Sequence, residues 1–325
     1  MNWFVRAALI LICLFALPFR SPAPLIYTPG EGWNYESSAE KGNWQRTRAQ
    51  DQLEVAQTAL DQNDFNLALK AARRVVKVWP LSDYAPQAQY LIGRCYEADR
   101  NDEKAFKAYQ QVLEKYPKIE NHEEILRRQY EIATRFLDGQ RFKLWGVIPL
   151  LPSMEKTADM YAKVINNGPY SEVAPQAQMN IGAAREKQSE YDQAVKAYER
   201  AADRYNDRKD VASEAVYKAG LAYNKQASTA EYDQSVAGNA IATFSDFQAL
   251  FPEDPRVPEA QKLIASLKSE QARGSFQTAK FYEKNKKWDG ALIYYNEVLL
   301  KDPESPLAAT ARERIDVLKK QSEQN

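Results

Sequence analysis

Tyr84–Pro117 reads YAPQAQYLIGRCYEADRNDEKAFKAYQQVLEKYP, and Val173–Asn206 reads VAPQAQMNIGAAREKQSEYDQAVKAYERAADRYN. Ala85–Gln89 and Ala174–Gln178 are identical, at a spacing of 89 residues (Ala85 to Ala174). At that spacing and without gaps, Gly93 falls on Gly182, Ala105 on Ala194, Tyr109 on Tyr198 and Tyr116 on Tyr205. A chain that repeats itself at this resolution is read as an array of supersecondary units before it is read as anything else.

Ile92-Gly93, Tyr96, Ala105, Tyr109 and Pro117 follow the order L-G-x2-Y, A-x3-F, P on a period of about 34 residues, and so resemble the tetratricopeptide repeat. Each position has a reason. A small residue lets helix A touch helix B, the rings wedge between helices, and proline stops helix B. In that frame the small residue recurs as Ala56, Gly93, Ala133, Gly182, Gly220 and Ala279. The helix-B alanine recurs as Ala68, Ala105, Ala194, Ala240 and Ala291, with Thr157 in the third copy. The ring position reads Ala72, Tyr109, Tyr161, Tyr198, Phe244 and Tyr295, and the stop reads Pro80, Pro117, Pro169, Asn206, Pro252 and Pro303. The expected fold is all-α: a right-handed tetratricopeptide-repeat solenoid of six helix pairs near 49–82, 86–119, 126–171, 175–208, 213–254 and 272–305. A capping helix over 306–320 and a frayed tail over 321–325 complete it.

Composition agrees. The chain has 325 residues, and its 44% hydrophobic content suffices for a continuous core. Lys and Arg number 44 against 44 acids. Without residues 1–23, which hold Arg6 and Arg20 and no acid, the balance is 42 against 44, or −2. No global basic field is available to attract nucleic-acid phosphates, which argues against that partner.

Residues 1–23 read as a targeting segment: Arg6, then the unbroken apolar run Ala7–Leu17, then a short exit. Eleven apolar residues (Ala7 to Leu17) are few for a bilayer span and suit a signal peptide, either cleaved or retained as an anchor. Cys13 follows Ile12 inside that run, so no small-residue lipobox precedes it. Removal of the segment leaves Cys95 alone, with no disulfide framework. In mid-helix it reads as a small buried residue before it reads as a nucleophile. Residues 24–43 carry proline, glycine and aromatics without helical period and read as an extended tether. Its Trp33 and Tyr35 either dock a partner or cover the open end of the first repeat.

The third and fifth repeats are interrupted. Gly139–Pro152, GQRFKLWGVIPLLP, is the most apolar stretch outside the targeting segment. Insertions in repeats often form binding faces. Leu144, Trp145 and Ile148 therefore contact a partner, a membrane surface or the repeats themselves. Ser228–Ser235 is polar and reads as a loop. Val257–Lys284 reads as one long helix entering the sixth repeat.

Chemistry is sparse. His122 is the single histidine, beside Glu123 and Glu124 at a helix start. No metal-ligand cluster, glycine-rich phosphate loop or G-x-S-x-G elbow is present, which points to no metal, no cofactor and no enzyme. An enzyme would have to work with scattered Glu, Asp, Lys or Tyr. The positive signal is a ladder three residues before each small position: Leu53, Tyr90, Tyr130, Met179, Tyr217 and Phe276. Arg94 and Lys280 stand one turn on. The ladder either lines a peptide-binding groove, where rings give contact area at little entropic cost, or packs between repeats.

Phe281-Tyr282-Glu283-Lys284, Ala291, Tyr294-Tyr295, Val298 and Pro303-Glu304-Ser305-Pro306, behind a long entry helix, resemble the BamD family, the tetratricopeptide lipoproteins of outer-membrane β-barrel assembly. The resemblance implies a non-enzymatic protein at the periplasmic face of the outer membrane, peripherally associated with it. Its implied partners are a BamA-type barrel component and unfolded outer-membrane proteins. Tyr90, Arg94 and Tyr130 would serve clients and Phe276–Tyr295 the complex. The alternative is another periplasmic tetratricopeptide scaffold, such as a Tol–Pal-associated coordinator of envelope constriction.

Overall fold

The structure, a computed structural model, describes residues 25–28, 30, 32–35, 44–144, 148–149, 152–229 and 234–322. Residues 1–23, expected as a targeting segment, lie outside them. Twelve helices follow one another in six pairs: α1 Ala49–Asp61 with α2 Phe65–Val78, α3 Ala85–Ala98 with α4 Asp102–Lys115, and α5 His122–Leu137 with α6 Met154–Asn167. The second half continues with α7 Ala174–Lys187 and α8 Tyr191–Arg204, α9 Lys209–Thr229 and α10 Gln234–Leu250, and α11 Val257–Lys284 and α12 Trp288–Lys301. A last helix, α13 Pro306–Ser322, caps the sixth pair. This is the all-α tetratricopeptide architecture expected from the repeated motif. The chain divides into two compact units, Met1–His122 and Glu123–Asn325.

Local sequence explains the helix ends. Proline stands in the first turn of α3, α7 and α11, where its fixed φ suits a helix and its missing N–H is not needed. The Asp64 carboxylate accepts from Leu67 N at 3.0 Å to cap α2, and Ser153 caps α6. Four A-to-B turns share one device: Asn63, Arg100, Ser189 and Lys286 take left-handed φ of 61°, 54°, 60° and 56°. The following amide then reaches back five residues, as in Asn101 N→Tyr96 O at 2.8 Å and Glu190 N→Arg185 O at 3.0 Å. That closure uses carbonyls the helix leaves unpaired.

In the first unit the segment expected as a plain tether is extended but folded back. Strands β1 (Leu25–Thr28) and β2 (Gly32–Tyr35) pair antiparallel, with Tyr27 opposite Trp33. Gly30 turns between them at φ +82°, a conformation that favours glycine. Its carbonyl accepts from Asp83 N at 2.7 Å, which ties the hairpin turn to the loop between α2 and α3. The core of the first repeat gathers Leu53, Ala56, Ala72, Val75 and Trp79.

In the second unit α8, α10 and α12 each put a buried ring, Tyr198, Phe244 and Tyr295, into the contact with helix A. The insertion after α5 forms a second hairpin, β3 (Lys143–Leu144) against β4 (Ile148–Pro149). At its base Phe142 is buried and stacks on Phe136, with centroids 4.2 Å apart and planes at 14°. Lys187 Nζ donates to Leu137 O at 2.5 Å and covers the last turn of α5, where a cation is favoured.

Candidate partner-binding surfaces

The small-to-ring contact positions everything else. A Cβ on Gly93 would lie 2.4 Å from a Tyr109 ring carbon, on Gly182 2.4 Å from Tyr198, and on Gly220 2.6 Å from Phe244. These glycines are small because a ring occupies the space. The tyrosines then carry their hydroxyls past helix A to a glutamate one turn beyond the small residue. Tyr109 donates to Glu97 at 2.7 Å, Tyr198 to Glu186 at 2.6 Å and Tyr295 to Glu283 at 2.6 Å. Where the ring is Phe244 the corresponding residue is Asn224, so the hydroxyl donor and the carboxylate are absent together. In the third repeat Leu137 takes the glutamate's place. Tyr161 instead shares its hydroxyl with Thr134 Oγ1 and Asn180 Nδ2, both at 3.0 Å.

Burial pushes three of these phenols up. Tyr161 rises to about 12, chiefly through burial, with bonds from Thr134 and Asn180 pulling the other way. Tyr198 and Tyr295 rise through burial and the carboxylates they donate to. Burial would also raise Glu283, but hydrogen bonds from Arg314 and Tyr295 outweigh it and hold the carboxyl low. Arg314 comes from α13, so this carboxylate joins the cap to the sixth repeat.

The ladder separates on exposure. Leu53, Tyr90, Met179 and Tyr217 are buried and do not line an open groove. Tyr90 lies 5.9 Å from the Tyr109 ring and accepts from Arg94 Nη1 at 3.1 Å. Tyr217 packs 5.2 Å from Phe247 under the Arg256 guanidinium, 5.0 Å from the ring. Arg256 is held by Asp254 at 2.7 Å, and its hydrogen bonds bring that carboxyl down to about 2. The physical reason for this burial is helical spacing. A residue three before the small position shares its face, so if Gly93 meets helix B, Tyr90 does too. Tyr130 and Phe276 are only half-buried. Tyr130 sits 5.7 Å from Tyr161 and accepts from Asn180 Nδ2 at 3.2 Å. Phe276 meets Tyr295 edge-on at 5.6 Å, with exposed Lys280 6.0 Å from its ring.

Of the insertion residues, Leu144 and Ile148 are partners in the β3–β4 register and Trp145 lies outside the described residues. The anchoring ring is Phe142, which the sequence hid among basic neighbours. Cys95 is buried and its thiol is pushed up to about 11 by burial, against a smaller lowering from Arg94. A thiol so placed is a poor nucleophile at neutral pH. Among the described residues no group of three or more His, Cys, Asp or Glu is placed to hold a metal. No described helix is long and apolar enough to cross a membrane.

The sixth repeat exposes three large apolar side chains, two of them within the Phe276–Tyr295 stretch that the resemblance assigns to a partner. Phe281, Ile293 and Leu300 are 62%, 60% and 82% exposed. Phe281 and Ile293 are chain neighbours of Tyr282 and Tyr294, whose rings stack at 5.4 Å. Leu300 lies two turns beyond Ile293 on the same face of α12.

Residues 153–321 match the model of the YfiO family, described as outer membrane lipoprotein, and residues 53–118 match a tetratricopeptide-repeat model. No curated protein matches the chain. Among solved structures, the C-terminal part of a tetratricopeptide-repeat protein from Cytophaga hutchinsonii is 14% identical, with 81% of this chain and 87% of that one covered and a TM-score of 0.37. MamA from Desulfovibrio magneticus RS-1 is 13% identical over 64% of this chain and 97% of that one, with a TM-score of 0.33. PilW, a type IV pilus biogenesis factor, is 14% identical over 82% and 99%, with a TM-score of 0.28. At these scores none bears on what this chain binds.

Proposed function

The chain belongs to the YfiO family of outer-membrane lipoproteins, and from that premise we propose that it is a non-enzymatic envelope scaffold that helps assemble β-barrel proteins at the periplasmic face of the outer membrane. The observation that carries this reading is the exposed apolar surface of Phe281, Ile293 and Leu300 within the matched residues. Large apolar side chains standing this far into water, on a rigid scaffold, mark a protein contact rather than a catalytic cleft. The rigidity comes from Glu283, which accepts from both Tyr295 and Arg314. In this reading the sixth repeat seats a BamA-type barrel component. Half-buried Tyr130 with Asn180, and Phe276 with Lys280, offer rings and polar groups to extended client segments, and Leu144, Trp145 and Ile148 add a second contact.

The test is site-specific photocrosslinking in envelope fractions, with the reactive residue at Ile293 and separately at Tyr130. Capture of the barrel-assembly core protein at Ile293, and of unfolded barrel precursors at Tyr130, is expected. Capture of Tol–Pal or peptidoglycan-synthesis proteins at Ile293 overturns the reading in favour of a different envelope scaffold.

A further inference from the structure

A cleft of about 510 Å³ lies between α2 and α4, floored by α3, in the unit that precedes the family match. Its two banks are basic. Arg73 and Lys77 line it from α2, one turn apart, and Lys104, Lys107 and Lys115 line it from α4. All five are exposed, and among the described residues none pairs with a carboxylate. Tyr96 stands between the banks. Arg73 donates to its hydroxyl and lies 5.7 Å from the ring, while Lys104 Nζ lies 5.6 Å from it. At the base, Gln89 Nε2 donates to Gln111 Oε1 at 3.3 Å.

Five like charges held around one cleft repel one another, and a walled cleft concentrates the resulting potential. The duplicated fourth repeat shows that the fold does not require them. There Ala162 and Asn166 stand for Arg73 and Lys77, Gln193 for Lys104, and Arg185 for Tyr96. Arg185 is neutralised by Glu190 at 2.9 Å. Lys196, Arg200 and Arg204 keep one basic row, but its facing bank carries no charge at those two positions. The floor amide is the same in both copies, Gln89 to Ala108 O at 3.3 Å and Gln178 to Ala197 O at 3.0 Å. What two copies share serves the fold, and what one copy alone carries has another cause.

We propose that the α2–α4 cleft binds an extended, acidic segment of a partner protein. The cations are spread along α4 from Lys104 to Lys115, about 16 Å at the helical rise, which matches roughly five extended residues. They do not converge on one point as a single phosphate would ask. Tyr96 between the rows offers apolar contact, and the half-buried Gln111 amide offers hydrogen bonds to a peptide backbone. Nucleic acid fits less well, because the chain as a whole has no net positive charge to draw it in.

The test measures fluorescence anisotropy of a short labelled peptide alternating glutamate with leucine, against the full chain and two charge-matched variants. Lys104→Glu/Lys107→Glu changes exposed side chains in the cleft, and Lys196→Glu/Arg200→Glu does the same in the fourth repeat. Circular dichroism confirms that each variant is folded. The expected result is binding that weakens with salt and falls about tenfold or more in the first variant only. Equal losses in both variants overturn the proposal, because they report unspecific attraction. So does loss-sensitive binding of phosphatidylglycerol vesicles or polyphosphate at the cleft without binding of the peptide.

Discussion

The second and fourth repeats are the same device built twice, and they agree inside while differing outside. Both place a glycine under a tyrosine ring, where an added Cβ would lie 2.4 Å from a ring carbon, both send that hydroxyl to a glutamate, and both donate a buried glutamine to a helix-B carbonyl. Even the stop is shared: Tyr116 OH reaches Pro80 O at 3.3 Å, and Tyr205 OH reaches Pro169 O at 3.2 Å. Their outer faces part company at Arg94 against Ala183 and Tyr96 against Arg185. The duplication therefore separates what builds a helix pair from what a helix pair presents.

The largest effect that tests this separation is expected at the glycines. Gly93→Ala and Gly182→Ala each force a ring to move, and overpacking of this kind costs about 1–3 kcal/mol. Unfolding outright is not expected, because Ala279 already shares a buried cluster with Tyr295. Denaturant titration of the two variants should give losses of similar size. A large loss in one copy and none in the other would show that the interiors are not equivalent after all.

Next come the hydroxyls. Tyr109→Phe and Tyr198→Phe each remove one hydroxyl donor from a partly buried carboxylate, at about 1.5–3 kcal/mol. Glu186 keeps Lys225 as a partner in the second of these variants. The phenols also set a pH limit. A raised folded pKa means that the native state holds its proton more tightly than the unfolded chain. The contribution is complete below the unfolded value near 10 and is lost as pH climbs to the folded one. For Tyr161 that window runs to about 12, and the loss across it is about 3 kcal/mol. Tyrosinate absorbance should show a buried class that ionises only well above pH 10. Full ionisation near pH 10 without unfolding would remove the argument.

This comparison also explains how far the sequence could be read. Gly93, Tyr109 and Pro117 carry the fold because steric need leaves few residue types at those positions, and the six helix pairs were legible from them. Glu186 and Gln178 were not, since a polar residue on a helix reads as solvated until burial shows a partner. For the ring ladder the residues alone allow groove or packing alike, and burial divides them: Tyr90 and Tyr217 lie three residues from a core-facing glycine and turn inward with it. The exposed Phe281–Ile293–Leu300 surface had no periodic signature, because apolar residues on both faces of α12 blur its amphipathic pattern. The basic cleft needed α2 and α4 side by side, and one helix alone shows only scattered lysines.

The smallest expected effect lies in the turns and bears on the interior half of the comparison. Arg100 and Ser189 occupy the same left-handed position, at φ 54° and 60°. An L residue pays for that conformation where glycine does not. Arg100→Gly and Ser189→Gly should each therefore raise stability, by about 0.5–1 kcal/mol after the added freedom of the unfolded glycine is deducted. Arg100 and Ser189 differ in every property except backbone angle. Equal gains would place the whole effect in φ, whereas a gain at Ser189 alone would mean that the Arg100 side chain stabilises its turn through contacts of its own.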